Sequence, residues 1–188
     1  EYSFMKKSQI KPIQGSTILL NPFSKEFVSK DYLNWMNDAE TTRFIQKAKN
    51  NTSIDELYSF ANEMINSEKD YFFAIFLKKN QLHIGNVRLG PIDFNLMKSN
   101  FGIMIGNKEF RGCGVGVEVL ELIKDFSFNH LKLEQLIFPA VEEYTAAMRL
   151  YEKTGFTLNN KVKKTLNKYG KSWKLVEWSM NNPFKYKN

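Results

Sequence analysis

The chain has 188 residues and 43% hydrophobic content, so it can bury one sizeable core and is too apolar to be disordered throughout. Its formal net charge is +7 and its pI about 9.3, which suits a nucleic-acid surface or an anionic small molecule. Apolar runs such as YFFAIFL at 71–77 are far too short to cross a membrane. These properties predict a single domain over 1–188 with no membrane segment.

The start of the chain lacks the charged, apolar and small-residue pattern of a secretory signal peptide. We interpret residues 1–4, which precede Met5, as a non-native extension and 5–188 as the native domain. Cys113 is the single cysteine, so no internal disulfide can form, which is typical of a reducing compartment. A cytoplasmic protein is therefore expected.

Six lysines are concentrated in one late segment: Lys161, Lys163, Lys164, Lys168, Lys171 and Lys174. No helix-turn-helix pattern, zinc knuckle or aromatic RNA-binding signature accompanies them. We therefore predict a solvated basic hairpin, no nucleic-acid partner and no metal site.

The first elements in chain order are a strand and a helix. The strand is predicted over 13–20, ended by an Asn-Pro pair. Ser24 is the expected N-cap of the helix, which places Tyr32, Trp35 and Met36 on one face.

A second helix is predicted from the S-x-x-E capping box of Ser53 and Glu56 and should end near Asn66. Turn signals at Lys79-Asn80 and Gly90-Pro91 then separate three strands of an antiparallel meander. These strands are predicted at 71–77, 83–89 and 100–105.

A long helix follows, with one stripe of residues expected to be buried: Val119, Leu122, Ile123 and Phe126. A strand at 136–141 and a short helix at 145–153, which stops at Gly155, come next. A terminal hairpin turns near Tyr169-Gly170. The alternation of elements predicts an α/β domain around a mixed sheet.

The stretch EFRGCGVGVEVLELI places Gly112, Gly114 and Gly116 behind Arg111, immediately before the long helix. Glycines allow positive φ, so several backbone N–H groups can point into one concavity at a helix N-terminus, where a phosphate binds well. A P-loop would end in Gly-Lys-Ser/Thr, and the dinucleotide fingerprint would follow the first strand of a βαβ unit. Neither pattern is present, so a different phosphate-bearing ligand is indicated.

The run Arg111-Gly-Cys-Gly114-Val-Gly116 resembles the R/Q-x-x-G-x-G/A pyrophosphate loop of the GNAT superfamily of N-acetyltransferases, and RLYEKTGF at 149–156 is similar to its second signature. The order of these motifs and the preceding meander extend the resemblance from Ile13 to Met180. It most resembles the branch of ribosomal-protein N-terminal and amino-sugar acetyltransferases. The resemblance implies a mixed, mostly antiparallel twisted sheet with a central parallel splayed strand pair, about four helices, and acetyl-CoA as cofactor.

The resemblance also implies the residues that meet acetyl-CoA. The pyrophosphate would lie on the turn amides, with Arg111 nearby, and the pantetheine arm would pair with one strand. These cofactor-binding residues are Ile103, Met104, Ile105, Arg111, Gly112, Cys113, Gly114, Val115, Gly116, Tyr144, Ala147 and Tyr151. Tyr151 matches the family's general acid, against the alternative that it is a core aromatic. We interpret Cys113 as a small filler rather than an acetylated nucleophile.

Two catalytic features depart from the family pattern. Tyr144 stands where an asparagine commonly binds the cofactor, and a phenol cannot offer the same pair of hydrogen-bonding groups. The strand at 100–105 contains no carboxylate for the general base. The candidates are Asp93, His83, Glu142 and Glu143, each of which also has an ordinary structural explanation.

The acceptor amine is expected opposite the cofactor, beneath the first two helices and the late hairpin. The substrate-binding candidates are Tyr32, Trp35, Arg43, Phe44, His83 and Trp173, although the same aromatics could belong to the core. Aromatics beside basic residues favour a small-molecule amine, an amino sugar that could be nucleotide-linked. The alternatives are a protein N-terminus and a non-catalytic acyl-CoA-binding domain, and a homodimer is possible.

Overall fold

The computed structural model describes residues 10–45, 48–49 and 51–185, without the side chains of 160–163. The predicted extension at 1–4, Met5, and the side chains of Lys161 and Lys163 lie outside the described part. The strands are β1 Ile13–Gln14, β2 Ile18–Pro22, β3 Tyr71–Leu77, β4 His83–Asp93, β5 Lys98–Ile105, β6 Gln135–Val141, β7 Thr157–Lys168 and β8 Lys171–Asn181. The α-helices are α1 Lys30–Asn37, α2 Ala39–Thr42, α3 Ile54–Asn66, α4 Val115–Asp125 and α5 Thr145–Lys153.

The strand predicted over 13–20 is in fact two short strands, β1 and β2. The chain reverses at Gly15, whose N–H donates to the carbonyl of Ile18 at 2.9 Å. Glu118 on α4 holds this turn, because its carboxylate accepts from the N–H of Thr17 at 2.8 Å and from the Thr17 hydroxyl at 2.5 Å. The prediction missed the turn because its partner lies 101 residues further along the chain.

The first helix begins later than predicted. Ser24 precedes a single 3₁₀ turn and makes no side-chain capping bond. Ser29 is the N-cap of α1 instead, and its hydroxyl accepts from the N–H of Tyr32 at 3.1 Å. The capping box of α3 is confirmed in both directions, between Ser53 and Glu56.

The eight strands form one sheet in the order β1-β2-β3-β4-β5-β6-β8-β7. Neighbouring strands are antiparallel, except that β5 and β6 are parallel. β4 continues through Gly90-Pro91 with a register shift, so the turn predicted there is wrong and the chain reverses at 94–97. The mixed, mostly antiparallel sheet is confirmed, with five α-helices among the described residues rather than about four.

The parallel strands β5 and β6 pair over two positions only, Lys98 with Gln135 and Ser99 with Leu136. Beyond them β6 pairs with β8 on its far side and diverges from β5. Gly102 is therefore exposed in the middle of the sheet. The predicted splay is confirmed, and we call the space between 100–105 of β5 and 137–141 of β6 the gap.

The helices cover both faces of the sheet and form two cores. Val119 and Ile123 of α4 are fully buried against one face, and Leu57 and Ala61 of α3 are buried against the other. Leu122, which was predicted to be buried, is half-buried. Among the described residues, no helix combines the length and the apolar composition needed to cross a membrane.

Candidate active site

The glycine turn lies at the wide end of the gap, where β5 leads into α4. Gly112 and Gly114 have φ of 74° and 92°, which an L side chain adopts only with strain. Gly114 is the N-cap of α4 and supplies no side-chain cap, so the first-turn amides of this helix lack an intrahelical partner. A Cβ at either glycine would meet nothing within 4 Å. The turn is therefore an open cradle of backbone donors that can hold an anion.

Arg111 joins this turn to the rest of the site. Its Nε donates to the carbonyl of Ile105 at 2.9 Å, and its other nitrogens contact the hydroxyl of Thr41 at 2.8 Å and the carboxylate of Glu40 at 3.2 Å. These contacts fix the guanidinium between β5 and α2. They favour a role for Arg111 in positioning the turn, whereas direct contact with the cofactor stays a prediction.

Of the other residues of the turn, some are exposed and some pack against the core. Cys113 is exposed, and its thiol lies 3.1 Å from the carbonyl of Phe110, within the turn itself. Val115 is buried in the core, and a Cβ at Gly116 would come within 3.4 Å of Leu150 on α5. The exposed position of Cys113 does not test whether it is a small filler or a nucleophile, so that interpretation stays a prediction.

Along the edge of β5 that faces the gap, several backbone groups have no strand partner within the described part of the chain. The carbonyl of Met97 accepts from the N–H of Glu134 at 2.7 Å, so it points toward β6. Backbone groups alternate sides along a strand, so the N–H and C=O of Ile103 and the N–H of Ile105 also face the gap. Met104 lies opposite Asn86 and directs its polar groups toward β4. Of the three predicted strand residues, two can therefore pair with an inserted chain.

Tyr151 projects from α5 into an aromatic pocket beside the gap. Its ring centroid lies 4.8 Å from that of Phe138 and 5.7 Å from that of Trp178, with Phe101 and Phe156 slightly further away. Burial raises the pKa of Tyr151, and the nearby phenol of Tyr144 adds to this rise. The phenol thus stays protonated at neutral pH and can act as a proton donor. Ala147, also predicted to bind cofactor, is buried one turn earlier on α5.

A cluster of three aromatics stands at the wide end of the gap, and we call Phe44, Tyr144 and Trp173 the mouth cluster. Phe44 lies 4.8 Å from Tyr144 and 5.5 Å from Trp173, ring centroid to centroid. The guanidinium of Arg43 lies 4.5 Å above the Phe44 ring. Tyr144 is 41% exposed, so its ring is available to a ligand. The structure thus brings together three predicted acceptor residues and the residue that replaces the family's asparagine.

The other predicted acceptor residues form a separate group under α1. Tyr32 is 2% exposed and packs among Phe23 and Trp35, so it is a core residue rather than a ligand contact. Burial accordingly raises its pKa. Trp35 covers Gly106 so closely that a Cβ there would lie 2.0 Å from the indole. Its ring also meets the imidazole of His83 at 5.1 Å.

His83 is fixed by hydrogen bonds from its Nε2 to the carbonyl of Gly85 at 3.0 Å and to Oδ1 of Asn86 at 2.9 Å. Burial lowers the pKa of His83, so the ring is neutral at neutral pH. Because both partners are acceptors, Nε2 carries the hydrogen and Nδ1 is the basic nitrogen. His83 is therefore chemically capable of accepting a proton.

The remaining base candidates differ in position. Asp93 accepts from the N–H groups of Asn95 and Leu96 and ends β4 opposite Lys98, about 17 Å along the strand from Ile103 at roughly 3.3 Å per residue. It is a turn residue, and we withdraw it as a base. Glu142 follows β6 at the wide end and is paired with Lys174 at 3.0 Å.

Comparison with known proteins identifies the family. The family model of the acetyltransferase (GNAT) domain matches residues 17–157. The chain belongs to the GNAT acetyltransferase family. It is therefore an acetyl-CoA-dependent N-acetyltransferase, and the resemblance of its motifs to the GNAT superfamily is confirmed.

The acetyltransferase has relatives among curated proteins. The protein named Probable N-acetyltransferase YjcK, from Bacillus subtilis (strain 168), is 29% identical over 94 residues, which are 50% of this chain and 52% of that protein. The chain thus matches about half the length of that relative. An N-acetyltransferase 9-like protein of Caenorhabditis elegans is 26% identical over 79% of both chains.

Solved structures share the fold of the acetyltransferase. Spermidine N-acetyltransferase from Vibrio cholerae, in complex with CoA and spermine, superposes with a TM-score of 0.81 at 21% identity, covering 89% of this chain and 96% of that one. A GNAT-family acetyltransferase from Bacillus anthracis gives a TM-score of 0.79 at 17% identity, with 92% and 99% covered.

The features of the site fit acetyl-CoA. The open cradle at Gly112 and Gly114 suits the pyrophosphate, and the unpaired groups of Ile103 and Ile105 suit the amides of a pantetheine arm. Acetyl-CoA supplies the activated acetyl group as a thioester. The chain's own residues supply anion binding, alignment and a proton.

Sequence reasoning missed several residues that organise the site. Glu40 and Thr41 were not anticipated as partners of Arg111, because α2 and the turn are distant in sequence. Asn86 was missed as well, although a signal was present. It is a polar residue between Ile84 and Val87 in the strand HIGNVRLG, where a buried amide needs a structural or functional reason.

Proposed function

We propose that this acetyltransferase acts on the primary amine of an amino sugar, and that a nucleotide-linked sugar is its preferred acceptor. The mouth cluster is the observation that supports this proposal. Phe44, Tyr144 and Trp173 present partly exposed rings at the wide end of the gap. Sugar faces stack on such rings, and the amine can then reach the gap.

The charges around the mouth cluster suit phosphates. Arg43 rests on the ring of Phe44, whereas Lys174, which follows Trp173 on β8, points to the opposite face of the sheet. Arg43 is exposed, and Lys174 pairs only with the surface carboxylate of Glu142 among the described residues. Arg43 can bind the diphosphate of a nucleotide sugar while the sugar stacks on the aromatics.

The general acid and the acceptor lie on opposite faces of the sheet in this proposal. Tyr151 lies against Phe101 and Phe138, on the face covered by α4 and α5. The acceptor would approach from the opposite face, beneath α1 and α2. In this arrangement Tyr151 protonates the departing thiolate, and backbone N–H groups of Ile103 or Ile105 support the developing oxyanion.

A protein N-terminus is the alternative acceptor, and one observation favours it. Asp31 and Asp38 line a cavity of about 430 Å³ together with Trp35 and His83. Asp38 stays ionised, because hydrogen bonds from Thr41 lower its pKa to about 2. Lys108 lines the same cavity and pairs with Asp38 at 3.1 Å. Asp31 beside the Trp35 ring is therefore the carboxylate that can attract an ammonium group or a basic peptide.

An acceptor panel separates the two. Purified protein with acetyl-CoA is offered glucosamine, UDP-glucosamine and peptides with free N-termini, and CoA thiol release is measured. We expect the highest kcat/KM with UDP-glucosamine. A peptide acetylated more efficiently than either sugar would contradict the proposal.

A variant pair tests the mouth cluster itself. Trp173→Ala should raise the KM for UDP-glucosamine about tenfold, because stacking area is lost. Tyr58→Ala removes a 42% exposed aromatic on α3 and should leave that KM unchanged. Equal KM values for the two variants would remove the mouth cluster from the acceptor site. A homodimer and a cytoplasmic location stay predictions.

A further inference from the structure

Gly102 occupies an unusual place for a glycine of a central strand. It lies in β5, which has neighbouring strands on both sides, yet it is exposed. A Cβ built on it would meet nothing within 4 Å. By contrast, a Cβ on Gly85 would collide with the backbone of Met104 at 2.2 Å. Gly102 is therefore not a glycine required by packing, and it leaves an open volume above the sheet.

The strand register shows which face this volume opens on. Asn86 lies opposite Met104, and Arg88 lies opposite Gly102. Directly opposed residues point to the same face, and alternate residues of one strand share a face. Met104 packs with the core under α1 and α3. The open volume over Gly102 is thus on the α1 face, opposite the face on which Tyr151 packs.

Asn86 lies on the same face as this volume, diagonally across from Gly102 in the register, and its amide has an unused donor group. The residue is 4% exposed, and its Oδ1 accepts from Nε2 of His83. Because Nε2 also contacts the carbonyl of Gly85, it must carry the hydrogen, which fixes the orientation of the Asn86 amide. The Nδ2 group then has no hydrogen-bond partner in the described part of the chain. A buried, unsatisfied NH₂ group in a fixed orientation calls for an acceptor atom that binding supplies.

Arg88 forms the other border and is held rigidly. Its Nε donates to Oδ1 of Asp70 at 2.8 Å, and its Nη2 lies 2.5 Å from the same oxygen. The Arg88 side chain is 32% exposed, whereas that of Asp70 is 8% exposed. The guanidinium therefore defines a wall of the open volume instead of folding into it.

We propose that the open volume over Gly102 receives the reacting amine of the acceptor, and that the Asn86 amide donates to an oxygen on the carbon adjacent to the one that bears the amine. The vicinal hydroxyl of an amino sugar and the carbonyl of an N-terminal residue both supply such an oxygen. A plain alkylamine does not, and it would leave Nδ2 unpaired. The open volume over Gly102 therefore selects amines that carry a vicinal oxygen over simple alkylamines. This inference rests on the proposed amine acetylation but not on the acceptor being a sugar.

A matched pair of amines tests the role of Asn86. trans-2-Aminocyclohexanol and cyclohexylamine differ by one hydroxyl on the neighbouring carbon. At saturating acetyl-CoA, the kcat/KM of the native protein should favour the amino alcohol at least about tenfold. Asn86→Leu should bring this ratio close to one. Asn86→Asp, which keeps an acceptor for His83 and removes the donor, should also abolish the preference and serves if the leucine variant does not fold.

Ser127→Ala is the matched control. Ser127 carries the other buried side-chain atom that lacks a partner among the described residues, and it lies on the turn after α4. Its removal should leave the ratio unchanged. The proposal is overturned if the native protein does not distinguish the two amines, if it acetylates neither, or if the preference survives in both Asn86 variants.

Gly102→Leu tests the open volume over Gly102 independently. Gly102 is not in the positive-φ region and a Cβ there meets nothing within 4 Å, so we expect the variant to fold, which its melting temperature checks. The KM for trans-2-aminocyclohexanol should rise at least about tenfold, while the Kd for acetyl-CoA from calorimetry stays within about twofold. Gly102→Ala should have a smaller effect on this KM. Parallel losses for acceptor and acetyl-CoA would assign the open volume to the donor and overturn the proposal.

The outcomes also separate this inference from the proposed function. If the protein acetylates peptides but no sugar, and Asn86 still gives a preference for the amino alcohol, the sugar proposal is contradicted and the role of the open volume over Gly102 is supported. A protein that acetylates UDP-glucosamine without any contribution from Asn86 or Gly102 supports the sugar proposal and contradicts the role of the open volume over Gly102.

Discussion

Tyr151 concentrates the acid chemistry of this acetyltransferase in one phenol. Its aromatic neighbours cover most of the ring, and burial keeps the pKa of the phenol above the usual range. A group of this kind stays protonated until a thiolate forms beside it. The surrounding rings come from β5, β6 and β8, so the phenol is held by the sheet as well as by its own helix.

Replacing Tyr151 with Phe should lower kcat about 100-fold, because general acid catalysis is commonly worth at least this much. The Kd for acetyl-CoA should change little, since the ring and its packing are retained. Steady-state kinetics and calorimetry measure the two quantities. Tyr58→Phe is the control on the surface of α3. Unimpaired kcat in Tyr151→Phe would remove the acid assignment.

Gly114→Asp should weaken acetyl-CoA binding at least about tenfold, because it sets an anion against the cradle and forces an L residue into positive φ. Gly170→Asp is a matched control, since Gly170 also has positive φ and open space but lies at the tip of the β7–β8 hairpin. Calorimetry should show normal acetyl-CoA affinity for the control. Retained affinity in Gly114→Asp would contradict the phosphate-binding role of the turn.

At the scale of elements, the β7–β8 hairpin is joined to α2 by Lys168. Its ammonium donates to the carbonyls of Thr42 and Ile45, at the C-terminal end of α2. Cations are favourable there because the helix dipole is negative. The hydroxyl of Tyr169 adds a contact with that of Thr42 at 3.3 Å. This connection holds the segment that carries Arg43 and Phe44 against the hairpin residue Trp173.

Lys168→Met should raise the KM for the best acceptor about tenfold by loosening the mouth cluster, and should leave acetyl-CoA affinity unchanged. Lys171→Met removes an exposed lysine from the same hairpin, directly opposite in register, and should change neither quantity. If both variants raise the KM equally, net charge rather than the connection to α2 is responsible.

The sequence could predict the elements whose signals are local. The capping box at Ser53, the C-terminal glycine at Gly155 and the turn at Tyr169-Gly170 each act within a few residues, and each is found. The reversal at Gly15 depends on Glu118, a long-range contact that no local pattern encodes. The glycine turn was predictable for the same reason as the caps. The acceptor side was not, because helical spacing alone cannot distinguish buried Tyr32 from half-exposed Trp35.

At the scale of the whole molecule, His83 links stability to pH. Its imidazole stacks on Phe76 and is bordered by Phe23, Phe27, Tyr32 and Trp35. Burial lowers its pKa, against a smaller opposing effect of hydrogen bonding and of Asp31. Near pH 6 the folded protein therefore binds fewer protons at this site than the unfolded chain. The contribution of His83 to the free energy of unfolding is fully present above the pKa of about 6.5 that histidine has in the unfolded chain. It falls as the pH drops below that value.

Thermal unfolding between pH 7.5 and pH 5.5 should reveal this dependence. The native protein is expected to lose more stability over this range than His83→Phe, whose ring cannot take up a proton. His130→Gln, on the turn after α4, should behave like the native protein. Parallel pH profiles for the native protein and His83→Phe would show that His83 does not control acid sensitivity.

The short pairing of β5 with β6 makes the sheet two half-sheets that share a brief seam, at least across the residues described. Acetyl-CoA bound between β5 and β6 should link the two half-sheets, because it can form hydrogen bonds that the diverging strands do not make to each other. Saturation at 100 times its Kd would then stabilise the fold by about 2.7 kcal/mol. Amide exchange should slow on both sides of the seam together, so that loading the enzyme also stiffens it.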